Sequence, residues 1–120
     1  MYSAQLLDHF HNPRNAGDVM DANAVAEIEN PACGDVLKLT ALLDNAVIAE
    51  IRFQAQGCVP TIACGSALTE LVRGKTLAHA SAVTRDQLVS ELGGLPPASG
   101  HAAQLAIDAL RALLERISVP

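Results

Sequence analysis

Val36-Leu37-Lys38-Leu39-Thr40-Ala41-Leu42-Leu43-Asp44-Asn45-Ala46-Val47-Ile48-Ala49-Glu50-Ile51-Arg52-Phe53-Gln54-Ala55-Gln56 is the stretch whose reading decides the fold. Val36 to Leu43 and Val47 to Gln56 read as two strands, and Asp44-Asn45 between them is a turn pair. In the second strand, Val47, Ala49, Ile51, Phe53 and Ala55 form a period-2 apolar set opposed by Ile48, Glu50, Arg52 and Gln54. Two adjacent strands joined this tightly make an antiparallel hairpin. Upstream, Ala24 to Glu29 alternates Ala24, Ala26 and Ile28 with Val25 and Glu27, a weaker third strand.

Helices flank these strands. Gln5 to His11 places Leu6, Leu7 and Phe10 on one side, and Pro13 ends the run because the residue before proline avoids helical geometry. After the hairpin, Pro60 suits a first helical turn, and the helix runs to about Arg73, where Gly74 stops it. Thr76 and Thr84 are N-caps of two short helices. Leu95-Pro96-Pro97 is an extended break before a last helix from about Ala102 to Ile117, with Ala106, Ala109, Leu110, Leu113, Leu114 and Ile117 facing inward. Strands first and helices second define an α+β fold, with helices packed on one face of a small antiparallel sheet. The 120 residues suffice for one domain with a real core, spanning 1–120.

Half of the residues are hydrophobic, yet the aromatics are only Tyr2, Phe10 and Phe53, so the core is aliphatic. Eight basic residues against thirteen acidic ones give a net charge of −5, which argues against a nucleic-acid-binding surface. No apolar run is long enough to span a bilayer, and Met1-Tyr2-Ser3-Ala4 opens no signal peptide, so a cytoplasmic protein with reduced thiols is expected. Three cysteines, an odd number at wide spacings, match no disulfide framework.

The chemistry-bearing residues lie at the edges of these elements. Cys33 and Asp35 flank Gly34, whose missing side chain lets thiol and carboxylate share one space. Cys58 ends a strand and precedes the helix opened by Pro60; a helix N-terminus carries partial positive charge, and thiolate is the form that binds metal. His101 falls opposite the apolar face of the last helix, so it is not an ordinary core histidine. Taken singly, a loop cysteine beside a turn aspartate and a surface histidine are the better readings of Cys33-Gly34-Asp35 and His101, and a small buried residue in a strand-to-helix turn is an equal reading of Cys58. Taken together, thiols with imidazole and carboxylate suit zinc or iron–sulfur clusters. Cys64, by contrast, lies on the arc of Ala63, Ala67, Leu68, Leu71 and Val72 and reads as a buried structural thiol. His9 and His11 have no ligand-like company, and His79 reads as a surface residue.

These residues stand inside a pattern that resembles the U-type iron–sulfur cluster assembly scaffolds, the family of IscU, SufU and the N-terminal domain of NifU. Asp8-His9-Phe10 with Asn12-Pro13-Arg14-Asn15 and Gly17 resembles the family's opening. Pro31-Ala32-Cys33-Gly34-Asp35 resembles its first ligand motif and Gly57-Cys58 its second. Leu68-Thr69-Glu70, Gly74-Lys75, and Leu95-Pro96-Pro97 before His101 complete the order from Tyr2 to about Arg116. The resemblance implies a three-stranded antiparallel sheet with helices on one face. It implies a non-enzymatic scaffold that receives sulfur from a cysteine desulfurase, builds an iron–sulfur cluster and passes it to acceptor apo-proteins. Carried over residue by residue, Cys33, Asp35, Cys58 and His101 are the cofactor-binding and metal-binding residues. The cargo is [2Fe–2S] in preference to [4Fe–4S], with Zn²⁺ as an alternative occupant.

Two positions depart from the family pattern. The cysteine that directly follows the family's histidine is Ala102 here, and the Val-Lys that a dedicated chaperone binds in the IscU branch is Ala98-Ser99. The chaperone contact therefore does not carry over. The four remaining ligands would close a tetrahedral zinc site, so a zinc-stabilised binding module on the same fold is the alternative function. They could also hold a mixed-ligand [2Fe–2S] cluster, as in Rieske centres. A zinc hydrolase comes last, since a catalytic zinc keeps an open position for water.

Overall fold

Apolar residues on alternate positions drive the three strands together, and a computed structural model describes the outcome for residues 1–118. β1 (Ala24–Glu29), β2 (Val36–Asp44) and β3 (Val47–Gln56) form a three-stranded antiparallel sheet in the order β1-β2-β3. Glu29 pairs with Val36, and Val36 with Gln56, so the β1–β2 turn and the end of β3 lie at the same end of the sheet. The β2–β3 turn falls on Asn45 and Ala46, one residue later than the sequence suggests, with both in left-handed backbone (φ 52° and 64°). Left-handed geometry at both central residues matches the twist of a two-residue hairpin; asparagine tolerates it readily, and Ala46 takes it against its own preference.

The apolar face of β3 also differs from its simple alternation. The ladder pairs Leu42 with Glu50 but Leu43 with Ile48, a β-bulge that leaves Ala49 unpaired. One extra residue flips every side chain before it to the other face. Ile48 is therefore buried alongside Ile51 and Phe53, while Ala49 is exposed and Val47 only half-buried. The expected inward set holds for Ile51 and Phe53 and fails for Val47 and Ala49.

α1 (Ala4–His11) is capped by Ser3, whose hydroxyl accepts from the Leu6 amide. α2 (Val59–Val72) follows β3 directly, α3 (Leu77–Ser81) and α4 (Arg85–Glu91) are short, and a single 3₁₀ turn (Pro97–Ser99) leads into α5 (Gly100–Ser118). The caps expected at Thr76 and Thr84 are present, the latter as a full capping box with Gln87. α5 starts two residues earlier than expected, which puts His101 inside its first turn.

α2 is the centre of the molecule. It packs on β3, α1 and α5, and Thr61, Ala63, Cys64, Gly65, Ser66, Ala67, Leu68, Thr69 and Val72 are all buried. This is wider than the one-sided arc read from the sequence, as befits a helix covered on most sides. Gly65 permits the close approach to β3: a Cβ there would come within 2.6 Å of the Phe53 ring. The free edge of β3 is closed at both ends by backbone hydrogen bonds, from the Asn12–Gly17 loop to Phe53 and from Gly74 and Lys75 to Ile48. Among the described residues no helix is long and apolar enough to cross a membrane.

Candidate metal centre

Three chain segments meet at the end of the sheet where β1 turns into β2. The first is that turn itself. The Asn30 amide bonds to the Asp35 carbonyl (2.7 Å) and the Gly34 amide to the Asn30 carbonyl (2.7 Å), while the Asn30 side chain accepts from the Ala32 amide. Gly34 adopts φ +77°, a conformation that side-chain-bearing residues avoid. The tight turn sets Cys33 in solvent and folds Asp35 inward to 7 % exposure.

The second segment is Gly57-Cys58. Cys58 is the N-cap of α2, with its thiol exposed. A Cβ on Gly57 would lie 2.5 Å from Cγ of Asp35, so only glycine leaves room for that carboxylate. The third segment is the first turn of α5. The Nδ1 of His101 lies 3.1 Å from the Ala98 carbonyl. A carbonyl only accepts, so Nδ1 carries a proton and Nε2 is the ring atom that faces the site.

One ligand atom each from Cys33, Asp35 and His101 lies within 4.8 Å of the others. Cys58 stands beside this trio, its Sγ 3.4 Å from Oδ2 of Asp35 and 3.9 Å from Nε2 of His101. Nε2 of His101 is itself 3.7 Å from the same oxygen. The structure thus brings the four predicted residues to one place, with Asp35 touched by the rest. Two thiols, an imidazole nitrogen and a carboxylate form a donor set suited to zinc or iron and not to calcium or magnesium.

Asp35 is held below its ordinary carboxylate range, first by the hydroxyl of Thr61 and then by hydrogen bonds from Cys58 and Cys33 and the nearby His101, against the opposing effect of its burial. Thr61 was not singled out in the sequence. Its one signal is its place three residues after Cys58, which on a helix returns a side chain to the same face.

Cys64 is fully buried, and burial pushes its thiol up to about 12, which makes it an inert thiol. Ala102, next to His101, is 1 % exposed and faces the core. His79 is exposed, as expected. His9 is buried, with Nδ1 2.7 Å from the Ser66 hydroxyl and Nε2 3.5 Å from Glu70.

Fold and site together define an α+β domain that gathers thiol, carboxylate and imidazole at one open end. Residues 1–117 match the family described as the NifU-like N-terminal domain, and the chain belongs to that family. It is 44% identical over 111 residues to the iron–sulfur cluster assembly scaffold protein IscU 1 of Archaeoglobus fulgidus, covering 92% of this chain and 72% of that one. It is 41% identical over 117 residues to the protein of the same name, IscU, from Haemophilus influenzae, covering 94% of this chain and 92% of that one. The crystal structure of a nitrogen-fixing NifU-like protein (N-terminal) from Brucella abortus shares the fold, with a TM-score of 0.77 at 19% identity over 96% of this chain and 92% of that one.

Proposed function

We propose that this chain is a one-domain iron–sulfur cluster assembly scaffold or carrier. Iron and sulfide are its cargo, held by Cys33, Asp35, Cys58 and His101, and the assembled cluster passes to acceptor apo-proteins. The observation that carries this reading is the meeting of Cys33, Asp35 and His101 within 4.8 Å, with Cys58 alongside. The family relationship supports it, since relatives bear the name of iron–sulfur cluster assembly scaffolds.

The partners that follow are a cysteine desulfurase as sulfur source and the acceptor proteins, in the cytoplasm. Cys33 and Cys58 are exposed, as thiols that take sulfur from another protein must be. The role is one of holding and handing over, without turnover of an organic substrate. [2Fe–2S] fits better than [4Fe–4S], because two thiolates with one oxygen and one nitrogen resemble the mixed ligation of a two-iron centre.

Ala102 gives the zinc reading its support. With the third thiol absent, the four remaining donors close a tetrahedral zinc site. Anaerobic reconstitution with iron and sulfide, followed by visible absorption, separates the two readings: a scaffold develops sulfide-to-iron charge-transfer bands, and a zinc module does not. Ala102→Cys is expected to raise cluster yield and lifetime, since a third thiolate adds soft-donor character. Equal yield and lifetime in both proteins would show that the four-ligand set is sufficient as it stands.

A further inference from the structure

Thr61 occupies the first turn of α2, three residues past Cys58, and is 1 % exposed. Its Oγ1 donates to Oδ2 of Asp35 at 2.6 Å, shorter than the contacts of the same oxygen with Cys58 (3.4 Å) and His101 (3.7 Å). A threonine hydroxyl has one proton, and a carboxylate only accepts. That proton is therefore committed to Asp35, and Sγ of Cys58 lies 3.2 Å from Oγ1. The backbone of Gly57 also approaches this carboxylate, leaving no room for a Cβ.

We infer that Thr61 is a positioning residue of the metal centre, fixing the carboxylate of Asp35 in the orientation in which Oδ2 meets Cys58 and His101. This rests on the metal-site reading above and deepens it. Cys33, Cys58 and His101 come from three separate segments and are exposed or partly exposed. Asp35 is buried, and its orientation is set by Thr61 before the metal arrives. A ligand already held in place costs no ordering on binding, and the groups that orient ligands typically govern affinity by 10–100-fold.

The test compares two near-isosteric variants, with Co²⁺ as probe followed by its d–d and sulfur-to-cobalt absorption, and Zn²⁺ by competition. Thr61→Ser keeps the hydroxyl and loses the methyl; it is expected to bind within about twofold of the unaltered protein. Thr61→Val keeps the shape and loses the hydroxyl; it is expected to bind roughly tenfold more weakly, with a shifted d–d envelope. In an Asp35→Ala background the valine change should cost nothing further, because its effect passes through Asp35. Equal affinity of Thr61→Val and the unaltered protein, equal losses in both variants, or a further loss in the Asp35→Ala background would each overturn the inference. In metal-free protein, the Asp35 carboxyl ¹³C resonance should move in Thr61→Val and stay in Thr61→Ser. If the unaltered protein takes up neither metal, the metal-site reading fails, while that resonance still decides whether Thr61 orients Asp35. Should Thr61→Val not fold, Thr61→Ala carries the same expectation.

Discussion

Two clusters in this molecule use nearly the same residue types and do opposite things. At the open end of the sheet, His101, Asp35 and Thr61 meet two thiols. Between α1 and α2, His9, Ser66 and Glu70 meet, along with Thr69 and the Arg14 backbone. The Ser66 hydroxyl accepts from the Arg14 amide at 2.8 Å and lies 2.7 Å from Nδ1 of His9. Thr69 donates to the Ser66 carbonyl at 2.7 Å and lies within 3.2 Å of the Arg14 carbonyl and the Asn15 side chain. Every group has a protein partner, and together they pin the Asn12–Gly17 loop and α1 to the central helix. At the open end, the thiols and the His101 ring are at least partly in solvent, and their hydrogen bonds with one another can be exchanged for a metal. Residue identity therefore does not separate a site from a brace; access and exchangeable partners do.

Substitutions should separate the two clusters, and the largest effect expected is at His101. His101→Ala should weaken Co²⁺ or Zn²⁺ binding by more than about a hundredfold, beyond what loss of an orienting residue costs. Metal-free stability should change by less than about 0.5 kcal/mol, as for a partly exposed side chain. A large loss of metal-free stability would make His101 a brace of the His9 kind. Ser66→Ala is the converse. It leaves the part-buried Arg14 amide and the buried His9 Nδ1 without their partner and should cost about 1–3 kcal/mol in denaturant unfolding, with metal stoichiometry unchanged.

Cys64→Ala should cost about 1 kcal/mol through the small void it leaves, and again spare metal stoichiometry. Loss of bound metal in the folded variant would bring Cys64 into the open cluster. The smallest effect expected is acid sensitivity at His9. Burial, helped by Arg14, holds its pKa below the ordinary 6.5 against the opposing pull of Glu70, Asp8 and Glu91. The unfolded chain therefore takes up the proton first. The contribution of neutral His9 is complete above pH 6.5 and is lost as pH falls from there through the lower folded value. Metal-free unfolding midpoints should fall in that window, and His9→Gln should flatten the fall; an unchanged slope in the variant would assign the acid sensitivity elsewhere.

Much of this was legible in the chain. The strands Ala24–Glu29 and Val47–Gln56, the Thr76 and Thr84 caps, and the edge positions of Cys33, Cys58 and His101 follow from local periodicity and turn chemistry. The bulge at Ala49 was not legible, because alternation counts residues and a bulge adds one without any special residue type. The bracing partners of His9 were not legible, because they lie 57 and 61 positions along the chain, on a helix that only tertiary packing sets beside it.

Sequence by itself determined the elements, the donor types and the family pattern, since each is written in neighbouring residues: propensity, capping and motif spacing act within a few positions. Tertiary structure alone decided that Asp35 is the common contact of the open cluster, that Thr61 holds it, and that Gly57 makes room for it. Those facts depend on distances of a few ångströms between segments brought together by the antiparallel sheet and the two long helices, and local sequence does not encode such distances.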